Sequence, residues 1–385
     1  MNTLNRRRFL QTGIAGVAGL GIATTLKAQP LEGKNQTKIV KRKLGKTGIE
    51  LPVLSMGVGA CNSPSVVKGA MKLGIVHFDT AHVYQQGNSE KMLGEVLKEY
   101  PRDSFVIATK VKITDSKETF LKTLNESLER LQIPFVDILY LHAASSREDI
   151  LNPLMLEAMA EAKSSGKAKH TGISTHKNEI EVLQAAVESN FYEVVLTAIN
   201  FQQQHRFELM EAINQAANAG LGIVGMKVMA GGYLDKEKTQ PVNCLAALKW
   251  VLQNENIHTT IPSMVNLEQL LQNAVVLENI ELNELEKEQL QLASNQSGLY
   301  CNACGKCIPG CKHSLPVPEL MRAYMYAFGY KETKKAKDLL VSVNSTLSSC
   351  HECSACTAKC VKGFDVPAKI SEVSQLLSIP DEFLT

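Results

Sequence analysis

The sequence predicts an α/β fold: a (β/α)8 barrel followed by a small cysteine-rich domain. Three observations carry this reading. From about Lys38 to about Ser294, short apolar runs alternate with longer amphipathic ones. Eight such repeats over roughly 250 residues is the size of a barrel of eight strand–helix units. No G-x-G-x-x-G follows the first apolar run, which weakens the competing doubly wound open sheet. Finally, eight of the ten cysteines fall beyond Leu299, in two runs of one spacing.

The first 30 residues stand apart. Arg6-Arg7-Arg8-Phe9-Leu10 precedes a Gly/Ala-rich apolar stretch from about Gly13 to Leu26, and Ala28 leads into polar residues. A basic start, a short apolar region and a small residue at its end describe an export signal. Arg6-Arg7 followed by x-Phe-Leu has the twin-arginine form, a route that moves folded proteins. The expectation is a periplasmic or otherwise exported protein. Its alternative is a cytoplasmic protein, or one tethered to the inner membrane by an uncleaved signal. No other stretch reads as a membrane span, so none remains once the signal is removed. With a net charge of +2 and no long basic stripe, nucleic-acid binding is excluded as a main role.

Residues 38–295 form the barrel unit. Its strands are expected near Leu51–Met56, Ile75–Phe78, Ser104–Thr109, Asp137–Leu141, Ala168–Ile173, Val194–Ile199, Leu221–Met226 and Thr259–Ile261. Between them the apolar spacing turns helical, at Ser89–Glu99, Lys117–Arg130, Ile150–Ser164, Lys177–Glu188 and Phe207–Asn218. Strand–helix alternation implies right-handed crossovers and a parallel sheet. Residues 296–385 differ: two cysteine runs, a helical stretch from about Glu319 to Leu340 between them, and another from about Ala368 to Leu377. Pieces this small bury little apolar surface, so bound metal is expected to serve as their core.

Cys301, Cys304, Cys307 and Cys311 read C-x2-C-x2-C-x3-C, and Cys350, Cys353, Cys356 and Cys360 repeat that spacing at an offset of 49 residues. Val317-Pro318 and Val366-Pro367 share the offset. Such runs surround cubane iron–sulfur clusters in ferredoxins, where the fourth Cys of each run serves the other run's cluster. Zinc favours two separated pairs rather than four crowded thiolates, and cysteines three residues apart rarely reach disulfide geometry. Two [4Fe–4S] clusters, held by these eight cysteines in a ferredoxin-like domain, are therefore expected. Lys312 and Val361 stand where ferredoxin runs place Pro, which leaves the cross-ligation pattern open. Cys61 and Cys244 are isolated and read as buried small hydrophobes.

In a barrel of this kind chemistry sits at the C-terminal ends of the strands. The second run ends in His77-Phe78-Asp79, with Tyr84 in the loop beyond; the third ends in Lys110 and the fourth in His142. Together Asp79, Tyr84, Lys110 and His142 suit carbonyl reduction. A phenol is a poor acid at neutral pH unless a cation lowers its pKa. Lys110 is a candidate for that cation and Asp79 for its counter-charge. His142 is placed to hold a substrate oxygen while Tyr84 supplies the proton.

These residues, with Gly74-Ile75-Val76-His77-Phe78-Asp79-Thr80-Ala81, Ser89-Glu90, Leu93-Gly94, Leu139-Tyr140-Leu141-His142, Gly172-Ile173-Ser174 and Gly225-Met226-Lys227-Val228-Met229-Ala230-Gly231-Gly232, give the chain a clear resemblance to the aldo/keto reductase superfamily over roughly Lys41 to Ala293. The subgroup it resembles carries an appended iron–sulfur segment and a twin-arginine signal. The resemblance implies a TIM barrel whose catalytic tetrad is Asp79, Tyr84, Lys110 and His142. It also implies NADPH or NADH as cofactor, with nucleotide contacts at Gly57, Ser174 and Asn273, and a small carbonyl or alcohol substrate.

The departures from the family pattern lie on the cofactor side: Thr175 replaces an Asn, Leu196 a Gln, and Ser263 and Gln269 replace the Lys and Arg that grip a 2′-phosphate in many members. Losing charge-assisted hydrogen bonds of about 1.5–3 kcal/mol each weakens the expected preference for NADPH. The leading expectation is hydride transfer between NAD(P)H and a carbonyl or alcohol, with two clusters attached and a redox partner protein to serve them. The alternative is an electron-transfer iron–sulfur protein whose barrel is a docking scaffold.

Overall fold

Eight short strands hydrogen-bond in parallel and in chain order, and the first closes on the last. The computed structural model describes residues 39–234, 239–294, 301, 303–343, 350, 353 and 356–384. The reading of residues 1–30 as an export signal lies outside them.

The chain opens with an antiparallel hairpin, β1 (Lys41–Lys43) and β2 (Glu50–Pro52). The barrel strands follow: β3 (Met56–Gly57), β4 (His77–Asp79), β5 (Val106–Lys112), β6 (Val136–His142), β7 (Ala168–Thr175), β8 (Val194–Ala198), β9 (Gly222–Met226) and β10 (Thr259–Thr260). The seam closes where the Ser55 amide donates to Thr260 O (2.8 Å) and the Gly57 amide to Pro262 O (3.1 Å). Only glycine fits at position 57, because a Cβ there would sit 2.7 Å from the Ile261 carbonyl oxygen.

The expected first strand, Leu51–Met56, is thus two elements. Its first half pairs with β1, and only its end joins the barrel. The run is apolar throughout because both halves are buried: Leu51 plugs the barrel beside Leu44, whereas Val53 and Leu54 pack outside it.

Alternation along each strand sorts side chains into two layers. Ala108, Ile138, Tyr140, Val194, Leu196, Val224 and Met226 fill the inside. Their neighbours Ile107, Leu139, Leu141, Ile173, Val195 and Ile223 face the helices. Continuing the inward row by two residues puts Lys110 after Ala108 and His142 after Tyr140, at the C-terminal mouth.

The helices wrapping the barrel are α1 (Pro64–Lys72), α2 (Asn88–Leu97), α3 (Lys117–Leu131), α4 (Arg147–Ile150), α5 (Pro153–Ser164), α6 (Glu179–Ser189), α7 (Arg206–Asn218), α8 (Cys244–Leu252), α9 (Leu267–Ala274) and α10 (Glu284–Ser294). The stretch expected as one helix, Ile150–Ser164, breaks into α4 and α5. Asn152 caps α5, accepting from the Leu154 and Met155 amides, and Pro153 opens it. Cys61 is buried, as the sequence suggests, but Cys244 at the start of α8 is only partly so.

The C-terminal segment has α11 (Val317–Tyr324), a π-turn over Met325–Gly329, α12 (Thr333–Ser342) and α13 (Val366–Ser374). One helix was expected over Glu319–Leu340. The π-turn and a left-handed Lys331 (φ 59°) divide it. The segment also has an apolar core of its own, in which Leu320, Met321, Ala336, Phe364, Ile370 and Val373 pack with partly buried cysteines. Among the described residues no helix is long and apolar enough to cross a membrane.

Candidate active site

The four polar residues that the sequence singles out do meet at the mouth. Asp79 ends β4 and Lys110 lies in β5, 2% and 1% exposed. Lys110 Nζ donates to Asp79 Oδ1 and to the Thr80 carbonyl (2.5 Å). Two charges this deep hold only because they are paired. Burial pushes Asp79 up and Lys110 down from their usual values, and their mutual attraction opposes both shifts.

Tyr84 reaches this pair from a turn that the chain stabilises with care. Gln85 and Gln86 adopt left-handed φ of 50° and 55°, and Gln85 Nε2 anchors the turn to Gly59 O (3.2 Å) and Cys61 O (3.1 Å). A Cβ on Gly59 would press the Tyr84 ring at 3.2 Å. Ser89 and Glu90 of α2 brace the same loop. Ser89 Oγ bonds Thr80 Oγ1 (2.8 Å); Glu90 accepts from Thr109 Oγ1 (2.6 Å) and pairs with Arg130, which donates to His82 O (3.1 Å).

His142 meets Tyr84 edge to face, with ring centroids 5.7 Å apart and planes at 86°. Burial, then Lys110, Lys112 and Lys335, hold the imidazole well below its usual value, so it is neutral. Burial and Asp79 push the Tyr84 phenol above the ordinary range. At neutral pH the mouth thus offers a protonated phenol and a neutral imidazole side by side. Lys110 lies 4.8 Å from the Tyr84 ring centroid, over its face. The same ammonium is bonded to Asp79.

The three residues assigned to the nucleotide are dispersed. Gly57 sits at the barrel seam with its amide committed to Pro262. Ser174 is the penultimate residue of β7, where its hydroxyl accepts from the Ala143 amide (2.9 Å) and donates to Leu141 O (3.4 Å). Asn273 is buried in α9. Leu196 belongs to the inner core, so that position fills the barrel rather than presenting an amide. Several buried polar atoms lack a partner among the described residues, including Asp79 Oδ2, His142 Nδ1 and Asn200 Nδ2. Unmatched buried groups at a strand-end mouth fit a bound polar ligand.

Sequence reasoning missed the C-terminal segment's part in this mouth. Arg322 of α11 donates to the His176 carbonyl (3.0 Å), Glu319 approaches Lys177 (3.7 Å) and Gln204 Nε2 reaches Val361 O (3.4 Å). Lys227 in the loop after β9 lies over Tyr326 (5.0 Å) and Tyr330 (4.9 Å), and Lys335 of α12 over Tyr84 (5.8 Å). One signal was available: Tyr324-Met325-Tyr326-Ala327-Phe328-Gly329-Tyr330 holds four aromatics in seven residues of a chain with 5% aromatics.

Cys301, Cys304, Cys307 and Cys360 line one cavity, walled otherwise by Pro318, Met321, Phe364 and Val366. Cys350 of the second run has Cys356, Cys311 and Cys353 around it. The fourth cysteine of each run therefore stands with the other run, the arrangement of ferredoxins. The runs touch directly, the Thr357 amide donating to Gly310 O (3.2 Å). Amides of Ala303 and Lys362 point at Cys301 Sγ and Cys360 Sγ (both 3.4 Å). Burial pushes the Cys301 thiol up to about 12, with Cys360 and Cys307 adding to it. Among the described residues no three His, Cys, Asp or Glu side chains gather around a single-ion position.

Comparison with known proteins agrees with both halves. Residues 62–245 match the profile of the aldo/keto reductase family, and residues 300–364 that of the 4Fe-4S dicluster domain. L-galactose dehydrogenase of Arabidopsis thaliana is 26% identical over 298 residues, covering 66% of this chain and 93% of that protein. L-glyceraldehyde 3-phosphate reductase of Escherichia coli (strain K12) is 35% identical over 162 residues, 36% of this chain and 46% of that one. Among solved structures, the aldo-keto reductase AKR11C1 from Bacillus halodurans (holo form) superposes with a TM-score of 0.57 at 21% identity, over 66% of this chain and 96% of that chain. This last likeness speaks to the fold.

The buried pair makes a direct prediction. Asp79→Asn, or Lys110→Met alone, destabilises the protein by about 3–5 kcal/mol in denaturant unfolding, because each strands a buried charge. Asp79→Asn/Lys110→Met recovers most of that loss; additive losses in the double variant would contradict the pairing.

Proposed function

Starting from an aldo/keto reductase barrel joined to a 4Fe-4S dicluster domain, in an oxidoreductase, we propose that the barrel transfers hydride between NAD(P)H and a small carbonyl or alcohol substrate. The observation that carries this is the protonated Tyr84 held edge-on to a neutral His142 above the buried Asp79–Lys110 pair. When bound, the nicotinamide supplies or accepts the hydride. Tyr84 gives its proton to the carbonyl oxygen, His142 orients that oxygen by hydrogen bond, and Asp79 fixes Lys110 beneath them. Asn200 Nδ2, a buried donor without a partner, and Ser174 suit the carboxamide; Asn273 suits the adenine. Gly57 acts by keeping the seam tight rather than by donating. With Ser263 and Gln269 in place of cations, the site favours NADPH less than its relatives do.

The eight cysteines hold two [4Fe–4S] clusters in this reading, which add single-electron capacity and serve a partner protein or the segment's own architecture. The export reading of residues 1–30 joins the proposal: a twin-arginine route is coherent with clusters inserted before translocation, and places the protein in the periplasm.

Two experiments test these assignments. Tyr84→Phe lowers carbonyl reduction about 10²–10⁴-fold while leaving the cluster absorption unchanged; retained activity would remove Tyr84 from its role. Paired cysteine variants test the ligand sets. Cys301→Ser/Cys360→Ser keeps half the iron, whereas Cys301→Ser/Cys311→Ser loses both clusters. The reverse outcome would mean that each run serves its own cluster.

A further inference from the structure

Helix α12 lies between the two cysteine runs in the chain, yet its first turn reaches the barrel's site. Lys335 Nζ stands 5.8 Å from the Tyr84 ring centroid and 4.5 Å from that of Tyr326, and donates to Glu332 Oε2 at 2.7 Å. Its side chain keeps 38% of its exposure. Lys110, the other ammonium near Tyr84, is committed to Asp79 and the Thr80 carbonyl.

We propose that Lys335, carried by the cluster-bearing segment, is a positioning residue for the barrel reaction: its ammonium stabilises the phenolate left when Tyr84 gives up its proton, so the site is complete only with that segment docked. This rests on Tyr84 as the proton donor. In the reducing direction the Tyr84 O–H bond breaks, the proton passes to the carbonyl oxygen, and the bonding pair stays on the phenolate until water returns a proton. That anion forms where burial and Asp79 oppose it. An opposite charge within about 4–6 Å is what restores an ionised form in such a place.

The groups facing Tyr84 are Asp79 from β4, Lys110 from β5, His142 from β6, Tyr326 from the π-turn, and Glu332 and Lys335 at the start of α12. Of these, Lys335 is the cation that most opposes the upward push on the phenol. Burial alone would lower Lys335, but Tyr326, Glu332 and Tyr84 outweigh it and hold the ammonium above its usual value. It is charged throughout the neutral range. Tyr326 competes for the same ammonium. Burial would raise this second phenol, yet Lys227, Lys335 and Arg322 hold it below the ordinary value. Docking of α11 through Arg322–His176 and Glu319–Lys177 keeps α12 in register with the mouth.

The test uses full-length, cluster-loaded protein carrying trifluorotyrosine at position 84, whose lower pKa brings the phenol into a measurable range. Its ¹⁹F resonance is followed against pH. Lys335→Met raises the midpoint by about one pH unit or more, Lys335→Gln does the same, and Lys335→Arg restores it. An unchanged midpoint in a Met or Gln variant with intact cluster absorption would overturn the proposal. In turnover of the unlabelled protein, alcohol oxidation, which needs the phenolate, falls about tenfold at fixed neutral pH in Lys335→Met. For the same substrate pair carbonyl reduction falls equally in kcat/KM, since the overall equilibrium fixes their ratio, and unchanged turnover in both directions would count against the proposal. Should the wild-type protein turn over no carbonyl or alcohol, the hydride reading fails, while the resonance titration still decides the part played by Lys335.

Discussion

The buried Asp79–Lys110 pair is the constraint around which the mouth is arranged. Removing two charges from water is costly, and at 1–2% exposure the pair holds only with its partners fixed. Strand alternation fixes them: Ala108 and Lys110 share the inner face of β5, as Ile138, Tyr140 and His142 share that of β6. Lys110, bonded to Asp79, lies over the Tyr84 ring. The phenol stays protonated, the imidazole stays neutral, and a second ammonium, Lys335, faces Tyr84 from outside the barrel. A barrel with a self-neutralised core pair and a cluster segment that brings Lys335 are two sides of one electrostatic arrangement.

Much of this was legible in the sequence because it depends on local pattern. Eight apolar runs gave eight strands, since inner and outer layers together make parallel strands apolar throughout. The same property hid the boundary between β2 and β3, where one continuous run serves two elements. The tetrad was readable because strand ends are where a barrel exposes polar groups. The cysteine spacing was readable because a cubane demands thiolates at short, fixed intervals. Even so, the pairing of Cys360 with the first run emerged only from the cavity walls.

Other features were illegible for a physical reason. Nothing local marks the break between α11 and α12 except Gly329, and the π-turn that brings Tyr326 to Lys227 packs in the C-terminal segment's own core. The role of Lys335 depends on a contact spanning some 250 residues of chain from Tyr84, which no periodicity encodes. Gly57 shows the converse. Its position matched a nucleotide contact, yet the Ile261 carbonyl against its missing Cβ explains the glycine by closure of the seam.

The cluster-bearing segment and the barrel mouth form one packed unit. Hydrogen exchange in the full-length protein, with clusters intact and after their removal by chelation, tests this most directly. With the two packed in this way, cluster loss speeds exchange not only in the C-terminal segment but also at residues 80–84, 174–177 and 226–232 of the barrel, with the hairpin at 41–52 unaffected. Faster exchange confined to residues beyond 300, with the barrel mouth unchanged, would contradict it.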